Sequence, residues 1–379
     1  MTPKERWQAV LERKTPDRIP MDYWATPEAT QKLAQFLGCQ RPTSQLREPS
    51  LSPWGGWASG GGWKTGGAWT ETEKALFEQL HIDTVVALQP LYNGPALPEK
   101  TDIFGCRFTD LDYGYGIYRE CVHFPLAQYR AVEEIKQNYQ WPSADWFDYS
   151  NIPGQIKGKE RYPIAAGGSE PFLLYQYLRG REQAFMDAIE YPEILHYCMD
   201  TLFDLAYENT RRIFEQIPGK ALLSYIAEDF GTQERLIMSR KAIGEFFLPG
   251  MRRMIELVHQ AGAYAFFHSD GAVRDILPDM VDAGIDILNP VQWRCTGMER
   301  TALKRDFGDQ IIFHGGVDNQ YTLAFGSVSE VVEEVRENIR ILGAGGGYIL
   351  APCHNIQAVS QAEKIVAMYS SALECGEEQ

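Results

Sequence analysis

Short apolar runs alternate with segments of helical spacing along most of this 379-residue chain. Runs that are apolar on both faces and followed by helices are typical of parallel strands in a sheet covered on both sides. Eight such runs favour closure into a (β/α)8 barrel over an open doubly wound sheet. The predicted strands are residues 19–24, 83–88, 162–166, 221–227, 263–267, 285–288, 311–314 and 348–351.

Helix starts are marked by three capping boxes, in which Ser or Thr is followed three residues later by Glu. They occur at Thr2, Thr70 and Ser327, and the first is followed at once by a proline, which suits the first helical position. The pattern predicts an N-terminal helical extension ahead of the barrel.

Two stretches interrupt the alternation of strands and helices. Residues 54–69 read WGGWASGGGWKTGGAW, for which we expect an ordered loop pinned by its tryptophans; the alternative is a mobile lid over a ligand. Residues 104–111 and 116–124 alternate like a β-hairpin around a turn at 112–115. We therefore expect one domain over residues 1–379, with a core barrel at about 160–375 and an insertion at about 50–160.

Composition narrows the possible partners. A formal charge of −15 repels polyanions, so we expect no nucleic-acid partner, and an acidic substrate would need inward-facing Arg or Lys of its own. The seven cysteines form no CxxC pair, which argues against a disulfide framework and a zinc ribbon. No signal peptide or membrane-length apolar run is evident, and we expect a cytoplasmic protein without a membrane partner.

Polar residues able to do chemistry follow six of the predicted strands. These segments are 167–170, 228–229, 268–271, 289–292, 315–318 and 352–355. Barrel enzymes place their active sites at the carboxyl ends of the strands, because loops there vary without disturbing the packed layers below. The sequence therefore predicts a small-molecule active site at this rim.

His268 and Asp270 are the leading candidates. Residues two apart on a strand face the same side, so this pair could bind a metal or act as acid and base. The alternative is that Asp270 caps a helix and His268 is a hydrogen-bonded residue of the core rim. Adjacent Cys353 and His354 face opposite ways, and we expect only one of them in the site. Either one, with His268 and a carboxylate from Glu228 or Asp270, would make a three-ligand zinc set.

The remaining candidates carry weaker signals. Glu228 or Asp229 could be the general base, although one of them could equally sit at a helix N-terminus. Asn289 and Gln292 could orient a substrate, yet Asn before Pro is also a common turn starter. Asp318 could contact a ligand or cap a helix, and Trp24 is a further substrate-binding candidate. The histidine at 314 lies inside a strand run and is expected in the core.

Five segments together resemble the uroporphyrinogen decarboxylase superfamily, which also contains corrinoid-linked methyltransferases. They are TPKERWQAVLERKTPDRIPMDYW (2–24), AEDFGTQ (227–233), FFHSDGAVRDILPDMVDAGIDILNPVQ (266–292), FHGGVDNQ (313–320) and LAPCHNIQ (350–357). The resemblance covers nearly the whole chain. It implies a (β/α)8 barrel, independently of the strand count, and a homodimer.

The resemblance also separates the branches of the superfamily. The decarboxylases carry an Arg-rich segment after the first strand, whereas MDYWATPEAT (21–30) has no arginine, which argues against porphyrinogen decarboxylation. The methyltransferases bind zinc with His-x-Cys on the fifth strand and Cys on the eighth. Here those positions correspond to His268, Asp270 and, counting back from Ile356, His354. The implied metal site is therefore a harder nitrogen and oxygen site, less suited to activating a thiol.

Three hypotheses follow. The first is a methyltransferase moving a methyl group between a small molecule and a corrinoid carried by a partner protein, with Zn²⁺ or another metal at His268, Asp270 and His354. The second is a metal-free decarboxylase or lyase of a tetrapyrrole or smaller carboxylate, with His268 and Asp229 as acid and base. The third is a non-catalytic barrel that binds a tetrapyrrole or aromatic ligand between the Trp-rich segment and the strand ends.

Overall fold

A computed structural model describes residues 1–39, 63, 67–112, 114 and 116–377. The predicted loop at 54–69 lies outside the described residues, except for Trp63 and residues 67–69.

The core of the fold is a seven-stranded parallel sheet with helices between successive strands. In chain order the strands are β1 (Val86–Leu88), β2 (Leu91–Tyr92), β3 (Arg107–Asp112), β4 (Ile117–His123), β5 (Phe147–Asp148), β6 (Ile164–Ser169), β7 (Leu223–Ala227), β8 (Tyr264–His268), β9 (Ile287–Asn289), β10 (Ile312–Val317) and β11 (Tyr348–Pro352). The main sheet runs β1-β6-β7-β8-β9-β10-β11, with every pair parallel. This α/β arrangement is consistent with a TIM-like barrel.

The predicted first strand, residues 19–24, lies beside β11 without forming a ladder. Met21 makes an isolated parallel bridge to Leu350, and the Asp83 N–H donates to the Met21 carbonyl at 2.7 Å. Pro20 offers a carbonyl but no N–H, which removes one rung of any ladder. Within the described residues the main sheet therefore has seven strands and is not closed by an eighth; the strand predicted at 19–24 is replaced by this extended segment.

Fifteen α-helices are described. They are α1 (Pro3–Leu11), α2 (Pro27–Phe36), α3 (Glu71–Gln79), α4 (Val132–Asn138), α5 (Ile152–Ile156), α6 (Pro171–Arg179), α7 (Arg181–Glu190), α8 (Pro192–Gln216), α9 (Arg240–Phe246), α10 (Leu248–Gln260), α11 (Leu277–Ala283), α12 (Arg300–Phe307), α13 (Thr322–Phe325), α14 (Val328–Leu342) and α15 (Ala362–Glu377). The three predicted capping boxes are confirmed at the starts of α1, α3 and α14. No helix in the described part of the chain has the length and apolarity needed to cross a bilayer.

The apolar core has two layers, one on each face of the main sheet. Alternate strand residues such as Phe266 and Ile312 pack against Trp7, Trp24 and Trp63. The opposite faces of the strands pack against the surrounding helices. Three buried tryptophans therefore fill the concave side of the sheet, below the ends of the strands.

The predicted hairpin is confirmed as β3 and β4, which form a separate two-stranded sheet. Residues 50–160, which the sequence assigned to an insertion, also contain β1, an edge strand of the main sheet. The single-domain assignment and the barrel bounds of about 160–375 stay predictions.

Candidate active site at the carboxyl ends of the strands

Three side chains converge where β7 and β8 end. His268 is the last residue of β8 and is paired in register with Ala227, the last residue of β7. Asp229 and Asp270 lie two residues beyond these strand ends. One ligand atom from each of Asp229, His268 and Asp270 lies within 4.8 Å of the other two. Parallel pairing of adjacent strands thus brings an imidazole and two carboxylates to one point.

Neighbouring groups hold the two carboxylates in place. The Gln292 amide donates to Asp270 Oδ1 at 2.8 Å and accepts from the Gly271 N–H at 2.6 Å. The Asp270 N–H donates to Asp229 Oδ1 at 3.1 Å. Gly271 has a φ of +90°, and a Cβ there would lie 2.5 Å from the backbone of Gly231. Close backbone contact between the two loops therefore requires glycine and fixes the carboxylates relative to each other.

His268 is tied on its other side to the interior of the sheet. Its Nδ1 lies 2.5 Å from Asn289 Oδ1, and Asn289 Nδ2 lies 2.7 Å from His314 Nδ1. His314 Nε2 then lies 3.1 Å from Asp22 Oδ2. His314 and Asn289 are fully buried, so the expectation that His314 lies in the core is confirmed. The core histidine is nevertheless connected to the rim.

The two carboxylates alter the electrostatics of His268. Burial disfavours charge on the imidazole, but Asp270 and Asp229 outweigh it and raise the pKa of His268 above its usual value. His268 Nε2 lies 3.7 Å from Asp229 Oδ1. Burial also raises the pKa of Asp270, against the opposing effect of His268. The site therefore favours binding a positive charge, either a proton or a cation.

Glu228 lies apart from this cluster. It is 1% exposed, and its Oε1 accepts the Phe172 N–H at 2.8 Å, at the start of α6. Its other oxygen, Oε2, is buried without a hydrogen-bond partner among the described residues. Burial raises the pKa of Glu228 well above its usual value. Glu228 thus occupies the helix N-terminal position that the sequence left open as an alternative.

Of the two adjacent residues after β11, His354 is the one that approaches the cluster. Its Nε2 lies 3.8 Å from Asp270 Oδ2, and its side chain is half exposed. The Cys353 thiol is buried and donates to the Val291 carbonyl, with Sγ and O 3.0 Å apart, and burial raises its pKa well above the usual value. Within the described residues, the three-ligand cluster contains Asp229 and excludes Glu228, Cys353 and His354. Metal binding by those three stays a prediction.

The substrate-binding candidates have other partners. Asn289 uses both ends of its amide on histidines, and Gln292 supports Asp270. Asp318 accepts the N–H of Thr322 at 2.9 Å and pairs with Arg294 at 2.8 Å. Asp318 therefore accepts backbone N–H groups at the start of α13. Trp24 is 6% exposed, with its ring centroid 5.9 Å from that of His268.

Sequence reasoning missed two residues that support the site from below. Asp22 is fully buried, and its Oδ2 accepts the indole N–H of Trp24 at 2.9 Å and of Trp63 at 2.7 Å. The sequence did contain a signal for Asp22, because it is a lone carboxylate inside an apolar strand run. A carboxylate in such a run is stable only if buried partners donate hydrogen bonds to it. No comparable signal distinguished Trp63 from the other tryptophans of its segment.

The donor set suits a divalent metal. The group offers one imidazole nitrogen and two carboxylates, and His268 Nε2 is on the side facing the carboxylates while Nδ1 has its own partner. Metal-bound histidines characteristically use the second ring nitrogen in this way. Mixed nitrogen and oxygen ligands without thiolate accept several divalent ions and do not select zinc.

Three solved structures resemble this chain to different extents. A methyltransferase from Methanosarcina mazei has the same fold, with a TM-score of 0.64 and 19% sequence identity over 99% of each chain. A D-tagatose 3-epimerase-like protein (TM-score 0.31, 17% identity, 60% of this chain and 84% of the other) shows only a partial likeness. A D-psicose 3-epimerase is similar to the same limited extent (TM-score 0.34, 11% identity, 62% and 85%).

No curated protein sequence matches the chain. The model of the uroporphyrinogen decarboxylase (URO-D) family matches residues 155–374, which include β6 to β11 and every residue of the His268 cluster. The resemblance seen in the sequence is confirmed: this chain belongs to the uroporphyrinogen decarboxylase family.

Proposed function

We propose that this protein is a methyltransferase of the URO-D family that uses a divalent metal and exchanges a methyl group between a small molecule and a corrinoid carried by a partner protein. The observation that carries the proposal is the convergence of Asp229, His268 and Asp270 within 4.8 Å at the strand ends. The proposal also includes a single domain and a homodimeric assembly.

His268, Asp229 and Asp270 would hold the metal. A divalent ion there would polarise a substrate heteroatom as a Lewis acid and so favour transfer of the methyl group. Gln292 keeps Asp270 oriented, and the buried Glu228 holds the start of α6 against the strand ends by accepting the Phe172 N–H. His354, half exposed beside Asp270, is placed to contact the bound substrate.

Three further observations support methyl transfer over porphyrinogen decarboxylation. Residues 21–30 contain no arginine to pair with a polycarboxylate, and the side chains beneath the site are the indoles of Trp24 and Trp63. The solved structure with a TM-score of 0.64 is a methyltransferase.

Metal binding by the purified protein tests the central step. Titration with Zn²⁺, Co²⁺ and Mn²⁺ should show one site per chain, and both His268→Ala and Asp270→Asn should weaken binding at least about 100-fold by removing a ligand. His259→Ala is the matched control, because His259 and Asp286 form another His–Asp pair, 2.8 Å apart, that lacks a second carboxylate in the described clusters. Equal affinity in wild type and His268→Ala would overturn the metal site.

Methyl transfer is measured separately. The metal-loaded protein should methylate free cob(I)alamin from small methyl donors, or demethylate methylcobalamin in the presence of small acceptors, and both reactions should be lost in His268→Ala. Sedimentation velocity measures the dimer. No turnover with any donor or acceptor, although metal is bound, would refute the reaction while leaving the site intact.

A carboxy-lyase acting on a smaller acid is the second candidate. The observation that favours it is the approach of His268 Nε2 to Asp229 Oδ1 at 3.7 Å, an acid and base pair that needs no metal. This reading predicts release of carbon dioxide from coproporphyrinogen-type or simple aromatic carboxylates after chelation. Methyl transfer predicts no such release.

A further inference from the structure

We propose that Asp22, His314 and Asn289 form a relay of buried hydrogen bonds that holds His268 in a single tautomer, with its hydrogen on Nδ1 and the Nε2 lone pair facing Asp229 and Asp270. The three supporting residues are positioning residues and contact no substrate. The use made of His268 rests on the proposed function, but the arrangement of protons does not.

The relay is continuous and shielded from water. Its three links measure 2.5 Å from His268 to Asn289, 2.7 Å from Asn289 to His314, and 3.1 Å from His314 to Asp22. Asp22, Asn289 and His314 are all 0% exposed, and His268 is 9% exposed. Water therefore cannot substitute for a missing partner, and each donor must meet an acceptor.

The direction of the relay is set at Asp22. A carboxylate oxygen accepts hydrogen bonds, and Asp22 Oδ2 already accepts from the indoles of Trp24 and Trp63. His314 Nε2 must therefore donate to Asp22, which leaves Nδ1 of the neutral ring as an acceptor. Asn289 Nδ2 donates to that Nδ1 and turns its carbonyl oxygen toward His268.

This order of donors and acceptors determines which nitrogen of His268 carries hydrogen. Because Asn289 Oδ1 can only accept, His268 Nδ1 must carry the hydrogen, and in the neutral ring Nε2 keeps its lone pair. That lone pair lies beside Asp229 Oδ1 and near the Asp270 carboxylate, a grouping that repels itself until a cation occupies it. A carboxylate fully buried beneath the strands thus determines which face of the rim histidine is available.

The opposite orientation of the Asn289 amide would give a different arrangement of hydrogens in the relay. If His314 carried hydrogens on both nitrogens, Asn289 would turn its oxygen toward His314 and its N–H groups toward His268. His268 Nδ1 would then accept, and Nε2–H would face the carboxylates as a donor. The two states differ in which nitrogen of His268 carries hydrogen, so one measurement separates them.

The first test is the tautomer of His268 in the metal-free protein. Long-range ¹H–¹⁵N spectra of ¹⁵N-histidine-labelled protein, recorded over a rising pH series up to the limit at which the histidine signals no longer change, should show His268 with hydrogen on Nδ1 and His314 with hydrogen on Nε2. Signals are assigned by their loss in His268→Gln and His314→Gln. Hydrogen on Nε2 instead of Nδ1 of His268 in the wild-type protein would overturn the relay. This result is read from the wild-type protein, and the variants serve only to assign its signals.

Variants test whether the relay causes the tautomer. Asn289→Ala should shift His268 toward Nε2–H or a mixture and weaken Co²⁺ or Zn²⁺ binding about 10- to 100-fold. Asn289→Asp, whose side chain can still accept from His268, should retain the Nδ1–H form. Asn319→Ala is the matched control: Asn319 is a buried rim asparagine bonded to the His354 backbone. An unchanged tautomer in Asn289→Ala would refute the causal role of Asn289.

The two proposals fail in different ways. If His268 carries Nδ1–H and no divalent ion binds, the relay stands and the metal-dependent function falls. If metal binds while His268 in the metal-free protein carries Nε2–H, the relay falls and the function stands.

Discussion

Asp83 connects the start of the chain to the edge of the sheet, and its removal should destabilise the protein strongly. Its carboxylate is 1% exposed and pairs with Arg6 at 2.5 Å and Arg18 at 2.7 Å. It also accepts the Met21 N–H at 3.0 Å, while the Asp83 carbonyl accepts the Trp7 indole at 2.9 Å. These contacts link α1 and residues 19–24 to the segment that enters β1.

The magnitude follows from burial. Arg6 and Arg18 have side-chain exposures of 7% and 16%, so Asp83→Ala leaves two largely buried guanidinium groups without this carboxylate. Breaking a buried ion pair by removing one partner costs about 3–5 kcal/mol. For a chain of this length the unfolding entropy is about 0.8 kcal/mol/K, so the melting temperature should fall by about 4–6 °C.

Differential scanning calorimetry measures this change. Asp279→Ala is the control, because Asp279 pairs with Arg240 at side-chain exposures of 32% and 57% and should change the melting temperature by no more than about 1 °C. Hydrogen exchange should also show faster exchange of the Met21 amide in Asp83→Ala. If the two variants melt within 1 °C of each other, the Asp83 network does not hold this part of the fold together.

Three further predictions concern pH, metal affinity and a helix start. Burial raises the pKa of Asp102 to about 6, from an ordinary value of 3.8, so its folded state is most favourable when protonated and loses stability as pH rises through about 6. Asp102→Asn should therefore raise the free energy of unfolding, measured with urea, by up to about 3 kcal/mol at pH 8 and by little at pH 4. An equal increase at both pH values would contradict this. Gln292→Ala should weaken divalent-metal binding about 10- to 100-fold in calorimetric titration, because Asp270 loses its amide donor; unchanged affinity would show that Asp270 needs no such support. Ser327→Ala removes the cap of α14 and should cost about 1 kcal/mol by urea unfolding, with Ser327→Thr retaining most of it; a loss as large in the Thr variant would point to a cause other than capping.

Most of the fold was predictable because its signals are local. A capping box such as Thr2 with Glu5 depends on four consecutive residues, and an apolar run such as 263–267 becomes a buried strand whatever its partner. Whether residues 19–24 form a ladder depends instead on backbone groups supplied from the far end of the chain. Pro20 has no N–H to offer to that pairing, and the apolar periodicity of the segment gives no sign of this loss.

The sequence predicted where the candidate site lies, at the carboxyl ends of the strands, but not all of the residues that form it. The spacing of His268 and Asp270 placed both at the end of one strand, and they lie together. The sequence did not predict that Asp229, from the neighbouring strand, would complete the cluster or that His354 would stay outside it, because these outcomes depend on register and loop packing. The connection from His268 through Asn289 and His314 to Asp22 spans three strands and the N-terminal segment and has no sequence spacing of its own.

The position of Trp63 limits how the glycine-rich stretch around it can be altered. Its indole is 4% exposed, packs against Phe266 with ring centroids 4.8 Å apart, and shares Asp22 Oδ2 with His314. A deletion that removes Trp63 with that stretch would leave an indole-sized void, at a cost of about 3–5 kcal/mol. It would also remove one of the N–H groups that donate to Asp22. Engineering of residues 54–69 should therefore keep Trp63 and vary the glycines on either side of it.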